Sequence, residues 1–194
     1  MMRVLCLFAA LTLTGCFGSA PERMDLSFGT YSATPAMITA LTINGTTPSI
    51  LLPSVQAGRA DAVAIRNSSG SYLLAWPGDT KTAQIEATWV ELLSNRAYTA
   101  RAEVKTADLH QAKTAFQTAY VLLILGPNGL MIVGSDAPQA VPDPRDVARV
   151  CGARRPGLDY DFTAEPLAHP RLTETLAETY PPVPDNTECP EPDA

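Results

Sequence analysis

The chain has 194 residues, and its 20 acidic side chains against 14 lysines and arginines give a formal net charge of −6 at pH 7. This acidic balance argues against a nucleic-acid partner and against electrostatic binding to anionic lipid. The length suits one domain of ordinary size, and no interior segment has the roughly 18 uninterrupted apolar residues typical of a membrane-spanning helix.

The N-terminus has the layout of a secretory signal. Arg3 precedes a short apolar run over residues 4–13, whereas a helix that crosses a bilayer needs about 20 apolar residues. Residues 13–16, Leu-Thr-Gly-Cys, resemble the lipobox of bacterial lipoproteins, in which the signal is removed and the new N-terminal cysteine is acylated. The resemblance implies that Cys16 carries a lipid anchor, because two or more acyl chains hold a protein stably on a membrane. The alternative is an ordinary signal with an incidental cysteine.

The signal defines the expected domain organisation. Residues 1–15 are expected to be removed, residues 16–23 to form a tether, residues 24–189 to form a single mainly-β periplasmic domain, and residues 190–194 to fray. Phe17 follows the lipobox cysteine, where an aspartate would resemble an inner-membrane retention signal. The expected location is therefore the periplasmic face of the outer membrane, with the inner membrane as the alternative.

Residues 24–105 carry β-strand patterns. The clearest alternation of apolar and polar residues lies in QIEATWVEL (84–92) and YTARAEV (98–104), so an antiparallel pair is expected. Trp89 lies on the apolar face of this pattern and is expected in the core. Asn44-Gly45 is a turn signal, and the segments ADAVAIRN and SYLLAW flank a short loop that predicts a hairpin.

The hydrophobic period changes after Thr106 and Asp108, two residue types that cap helices. Leu109, Ala112 and Phe116 then recur at helical spacing. The pattern predicts a single helix of about ten residues that packs on the sheet.

The second half of the chain begins with a buried strand and ends in a proline-rich segment. AYVLLIL (119–125) predicts a central strand buried on both faces, and a GPNG turn leads into the hairpin strand LMIVG. Eleven of the 17 prolines lie in residues 138–192, which predicts extended segments that wrap the sheet and one short helix over 170–180. The expected fold is α+β: mainly antiparallel sheet, either sandwich-like or singly curved, with one or two short helices and a proline-rich C-terminal wrap.

The cysteines predict one disulfide. Cys6 would leave with the signal and Cys16 would be acylated, so Cys151 and Cys189 are the pair that remains in an oxidising compartment. Closing this loop would stabilise the fold by about 4 kcal/mol on the chain-entropy model. Free buried thiols and a metal site are the alternatives, although a zinc site would need two further ligands.

The sequence contains no motif of an enzyme, a metal centre or a cofactor site. His110 and His169 are the only histidines, and they read as a surface residue and a turn residue. Trp76 precedes a Pro-Gly turn, and Arg154 and Arg155 follow Cys151 in a charged loop. Aromatic and arginine side chains in loops often anchor protein partners, so these three residues are candidate partner contacts. Core packing of Trp76 and solvated charge for the arginines are the alternatives.

The lipobox and residues 84–134 together resemble a family of small, uncharacterised lipoproteins of Gram-negative bacteria. The matching features are WVELLSNRAYTARAEV, a helix, and the LILGPNGLMIV hairpin. The resemblance implies a lipid-anchored envelope protein. Because the sequence shows no convergent acid, base and nucleophile, the expected function is that of a non-catalytic module that binds a protein partner. Some lipoproteins of this general kind are immunity proteins that bind a secreted lipase toxin, which is one alternative function. A hydrolase acting on envelope polymers is the other.

Overall fold

The computed structural model describes residues 20–31, 34–50, 54–55, 64–65, 71–113, 115–135 and 145–164, together with Leu176 and Cys189. Within these ranges the regular structure is almost entirely β. The strands are β1 (Arg23–Tyr31), β2 (Ala36–Ile43), β3 (Ser54–Val55), β4 (Ala64–Ile65), β5 (Ser71–Ala75), β6 (Thr82–Glu91), β7 (Arg96–Lys105), β8 (Gln111–Lys113), β9 (Gln117–Leu125), β10 (Leu130–Gly134), β11 (Asp146–Cys151) and β12 (Ala153–Arg154). Short 3₁₀ turns cover Thr106–Asp108, Pro127–Gly129, Pro156–Leu158 and Phe162–Ala164.

The described strands form two sheets. The first has seven strands in the order β11-β10-β9-β1-β4, with β5 also paired to β1 and β8 to β9, and the second has five in the order β12-β7-β6-β2-β3. Every pairing is antiparallel except β1 with β9, which run parallel. The mainly antiparallel β prediction is therefore confirmed. No helix in the described ranges has the length and apolarity that crossing a membrane requires.

The main core lies between the two sheets, because alternate residues of the long strands point toward one another. The predicted pair β6–β7 is present in full register from Thr82 opposite Lys105 to Glu91 opposite Arg96. Trp89 is fully buried, as predicted, and stacks on Tyr98 with ring centroids 6.0 Å apart. Other members of the same core are Met24, Leu26, Phe28, Ile38, Leu41, Ile85, Val121, Leu123, Met131 and Val133.

The outer face of β9 and β10 is also buried, which explains why residues 121–125 of β9 are all apolar. Leu122, Ile124, Leu130 and Ile132 are at most 2% exposed and form a second cluster with Cys189. A disulfide joins Cys189 to Cys151 at the end of β11, with Cα atoms 5.5 Å apart. The predicted central strand and the predicted cysteine pairing therefore agree with the structure.

The prediction of a helix after Thr106 is wrong. The chain makes one 3₁₀ turn and then strand β8, which pairs with β9 so that Gln111 lies opposite Ala119. Leu109 is buried, whereas Phe116 is 41% exposed and lies under the Arg23 guanidinium at 4.8 Å. Three apolar residues at spacings of three and four do not distinguish a helix from an extended segment when a neighbouring strand supplies the backbone hydrogen bonds.

Two further expectations need correction. β4 and β5 do not form a hairpin with each other, because both pair antiparallel with β1, one after the other along its edge. The folded part also begins before the expected boundary, since β1 starts at Arg23 and Ala20 already packs against the core. The signal, the lipobox cysteine and the frayed tail lie outside the described residues, as do the 170–180 helix and the proline-rich wrap apart from Leu176 and Cys189.

Candidate partner-binding site

Three loops meet at one end of the two packed sheets, which we call the loop end. They are the β6–β7 turn (92–95), the β9–β10 turn (126–129) and the loop after β12 (155–162). The Gly129 amide donates a hydrogen bond to Glu91 at the end of β6, at 2.8 Å. The third loop attaches to β7, because the Arg155 amide donates to the Ala97 carbonyl, also at 2.8 Å. Two loops of the loop end, one of them the β9–β10 turn of the first sheet, are therefore hydrogen-bonded to strands β6 and β7 of the second sheet.

An arginine–aspartate pair holds the third loop in place. Both terminal nitrogens of Arg154 bond the two carboxylate oxygens of Asp159, each at 2.5 Å. Asp159 Oδ1 also accepts a bond from the Ala97 amide at 2.8 Å, and the Arg154 guanidinium lies 5.6 Å from the centre of the Tyr98 ring. The bond from Arg154 lowers the pKa of Asp159. Arg154 therefore positions the loop, and its charge is matched within the chain.

The surface of the loop end exposes apolar side chains beside an exposed arginine. Leu93 is 48% exposed, Leu158 55% and Tyr160 41%, and these are three of the five large apolar side chains that are exposed in the described ranges. Arg155 is exposed in the same loop as Leu158 and Tyr160. Exposed apolar residues grouped with arginine are typical of protein-binding surfaces. We refer to Leu93, Arg155, Leu158 and Tyr160 as the loop-end patch.

Trp76 is not part of this surface. Its side chain is 5% exposed and packs in the main core, and its indole nitrogen donates a hydrogen bond to the Thr80 carbonyl at 2.9 Å. The Pro77-Gly78 turn, with Gly78 at φ +73°, brings the Thr80 carbonyl back to the indole nitrogen. Burial leaves the ring no free face for a partner, so the role proposed for Trp76 as a partner contact is corrected to that of a core residue.

A buried carboxylate supports the loop end, and the sequence patterns did not reveal it. Glu91 is 5% exposed, and its second carboxylate oxygen accepts a bond from the Ser94 hydroxyl at 3.2 Å. Burial raises its pKa, partly offset by the hydrogen bond from the Gly129 amide. The one signal in the sequence is a charged residue inside the otherwise apolar run VELL.

Gly129 and Tyr98 complete this buried cluster. Gly129 has φ +79°, and a Cβ at this position would lie 2.4 Å from Tyr98 Cδ1. Burial raises the pKa of the Tyr98 hydroxyl, and the Glu91 carboxylate raises it further. The Trp89 indole nitrogen is buried without a hydrogen-bond partner among the described residues. The turn at Gly129 is thus fitted tightly between a carboxylate and an aromatic ring.

The remaining residues considered from the sequence are the two histidines and the lipobox cysteine. The His110 amide donates to the Ser135 hydroxyl at 2.8 Å beside β9, while His169 and Cys16 lie outside the described residues. Within the described ranges no group of three or more His, Cys, Asp or Glu side chains is arranged to hold a metal ion. A shallow polar depression of about 330 Å³ lies on the outer face of the second sheet. It is lined by Thr42, Asn44, Gly45, Gln84, Glu86 and Arg101.

No protein-family model, no curated protein and no solved structure matches this chain. The function proposed below therefore rests on the loop-end geometry and on the lipobox resemblance.

Proposed function

We propose that the chain is a lipid-anchored, non-catalytic protein-binding module on the periplasmic face of the outer membrane, and that it binds its partner through the loop-end patch. The observation that carries this proposal is that two loops at the same end of the domain, the β6–β7 turn and the loop after β12, expose Leu93, Leu158, Tyr160 and Arg155, while the second of these loops is hydrogen-bonded to β7. Binding energy in protein interfaces concentrates in a few aromatic, apolar and arginine anchors of this kind.

The third loop, which carries three of the four patch residues, is held before any partner arrives. The Arg154–Asp159 pair fixes it to β7, and the Glu91–Gly129 bond fixes the neighbouring second loop to β6. Tyr160 also packs edge-to-face on Phe162, with ring centroids 4.7 Å apart. A preorganised surface loses less conformational entropy on binding than a mobile loop does, which favours a recognition role.

The loop end lies at the end of the domain opposite to the start of β1, the strand that follows the proposed lipid anchor in the sequence. β1 and β9 run parallel, with Arg23 beside Thr118 at one end and Thr30 beside Leu125 at the other. The β9–β10 turn of the loop end follows Leu125, so about 20–25 Å of strand separates it from the start of β1. The chain from Cys16 to Ala20 reaches at most about 14 Å. A domain anchored through Cys16 would therefore stand on the membrane with its patch directed away from it.

Site-specific photocrosslinking in cells tests the proposal. A photoreactive residue at Leu158 should capture a defined partner, whereas one at Arg101, which is exposed on the outer face of the second sheet, should not. Arg155→Glu should abolish the Leu158 crosslink, and Arg101→Glu should leave it intact. A secreted lipase-type toxin as the captured protein would favour the immunity function, and an envelope assembly protein would favour upkeep.

Two outcomes would contradict the proposal. The first is a set of crosslinks that is the same at Leu158 and at Arg101, because the patch would then have no specific partner. The second is hydrolysis of an envelope ester or glycan by the purified protein that is lost on changing His110 or Glu91.

A further inference from the structure

Strand β5 lies at an edge of the first sheet. It pairs antiparallel with β1 over five residues, from Ser71 opposite Ser27 to Ala75 opposite Arg23. In the described part of the chain no strand pairs with its other side. An edge strand presents a row of backbone N–H and C=O groups that can pair with another strand.

The register shows which backbone groups of β5 face outward. The Trp76 amide donates to the Glu22 carbonyl at 3.0 Å. In an antiparallel pair, bonded and non-bonded residue pairs alternate, so Tyr72 and Leu74 exchange bonds with β1. The N–H and C=O groups of the intervening residues therefore point toward the open edge. These outward-facing residues are Ser71, Leu73 and Ala75.

The composition of β5 leaves this edge unprotected. The strand reads SYLLA, without a charge or a proline, and Leu73 is 62% exposed on the outer face, more than any other large apolar residue in the described ranges. Natural proteins block edge pairing with charged residues, prolines or bulges. The outer strand of the same sheet on its other side, β11, carries the Asp146–Arg149 ion pair. In the second sheet, the exposed positions of β7 are likewise charged: they are Arg101, Glu103 and Lys105.

We infer that two copies of this chain associate through β5, edge to edge and antiparallel, to form one continuous sheet across a two-fold axis at Leu73. In this register Leu73 lies opposite Leu73 of the second copy, and Ser71 lies opposite Ala75 of the second copy. All the outward N–H and C=O groups of the three residues are then paired. We choose a second copy of the chain as the partner of this edge because SYLLA carries no charge, so two such strands can pair antiparallel about Leu73 without repulsion.

Both faces of the joined sheet gain contacts. On the outer face the two exposed Leu73 side chains meet across the axis, at the separation of a hydrogen-bonded cross-strand pair. On the inner face the half-buried Tyr72 and Leu74 already pack against the main core, and Tyr72 contacts Phe28 edge-to-face at 6.1 Å. Pairing places Tyr72 of one copy beside Leu74 of the other, which extends the apolar layer across the interface.

The association is expected to be weak in free solution. Five paired residues bury less than the roughly 1,200 Å² of a stable interface. Confinement of both copies to a membrane surface raises their effective concentration and favours the pair. This gain rests on the proposed lipid anchor, whereas the pairing itself does not.

Cysteine crosslinking of the full chain in cells tests the register. With Leu73→Cys, addition of a membrane-permeant thiol oxidant should produce a disulfide-linked dimer on a non-reducing gel, because the two residues face each other at the axis. Ser71→Cys should not crosslink to itself, since it lies opposite Ala75 of the second copy. Co-expression of Ser71→Cys with Ala75→Cys should restore the dimer.

A second measurement is independent of added thiols. Sedimentation equilibrium of the full-length protein in detergent should show concentration-dependent dimers, and Leu73→Lys should weaken self-association at least tenfold. Arg155→Glu, which should abolish the partner crosslink at Leu158, should leave the dimer intact. The two proposals can therefore fail separately.

Three results would overturn the inference. One is a Leu73→Cys protein that folds but forms no dimer under oxidation. Another is equal crosslinking by Ser71→Cys alone, which excludes the two-fold register at Leu73. The third is capture of a different protein by Leu73→Cys without self-crosslinking, which would make the edge a site for another chain.

Discussion

The carboxylate of Glu91 accepts a hydrogen bond from the backbone N–H of Gly129 at 2.8 Å, and the two residues are 38 positions apart in the chain. This contact ties the end of β6 in the second sheet to the turn that joins β9 and β10 in the first. Because the carboxylate is buried, it also makes the stability of the domain dependent on pH.

We expect Glu91→Gln to remove one component of the pH dependence of unfolding. Burial raises the pKa of Glu91 above its ordinary value of 4.5, so the native state holds the proton more tightly than the unfolded chain. The stability from this group is therefore fully present below pH 4.5 and is lost as the pH rises through the raised native pKa. Glutamine keeps an acceptor for the Gly129 amide without a charge, so the variant should equal or exceed the wild type in stability at pH 7.

Urea unfolding between pH 4 and 8 measures this pH dependence, with Glu86→Gln on the outer face of the second sheet as control. A variant with the same pH slope as the wild type would contradict it.

Gly129→Ala is expected to destabilise the fold by about 2–4 kcal/mol, since the new Cβ would combine positive-φ strain with overlap of the Tyr98 ring. Gly45→Ala provides a matched control, because Gly45 has a similar φ of +75° and no atom within 4 Å of the added Cβ. Denaturant unfolding of both variants separates the strain from the overlap. Equal losses in the two variants would mean that the fit against Tyr98 contributes nothing.

Asp159→Ala should free the third loop without unfolding the domain. It removes the acceptor of the Ala97 amide and the partner of Arg154. Both side chains of the pair are partly exposed to solvent, so the loss of stability should stay at about 1 kcal/mol. Hydrogen exchange at the Ala97 amide should nevertheless become at least tenfold faster, and Asp79→Ala, in the Pro77–Thr80 turn outside the loop end, should leave it unchanged. An Ala97 amide that stays protected in Asp159→Ala would rule out this account of how the loop is held.

The Cys151–Cys189 bridge should appear in non-reducing peptide maps of protein purified from cells as a joined pair of peptides. Replacing both cysteines with serine should lower the free energy of unfolding by about 4 kcal/mol on the chain-entropy model. It should also expose the outer cluster that contains Cys189, which binding of an apolar dye would detect. Recovery of two freely alkylated thiols would refute the bridge.

Cys16→Ala should leave the signal uncleaved and abolish incorporation of radiolabelled fatty acid, because the Cys16 sulfur is the atom that would carry the lipid. The labelling is measured on protein precipitated from cells grown with the labelled fatty acid, and Cys6→Ala is the matched control that should remain labelled. Unchanged labelling of Cys16→Ala would show that the lipobox interpretation is wrong.

Local patterns in the sequence determined the strands that have clear alternation or complete burial. The alternation in β6 and β7 predicted their antiparallel pairing, the apolar run of β9 predicted a strand buried on both faces, and Pro127-Asn128-Gly129 predicted the turn into β10. These predictions succeeded because the period of side-chain direction and the positive φ of turn residues are local properties of the chain.

Tertiary structure alone decided which elements meet. The segment after Thr106 became strand β8 because β9 offered it backbone hydrogen bonds, against its helical spacing. Trp76 packs in the main core and its indole nitrogen bonds the Thr80 carbonyl, while the charge of Arg154 is neutralised by Asp159. The parallel pairing of β1 with β9, the Glu91–Gly129 contact and the position of β5 at the edge of the described sheet likewise depend on residues far apart in the chain. A local pattern specifies which face of an element is apolar, whereas the partner of that face or edge depends on how the whole chain packs.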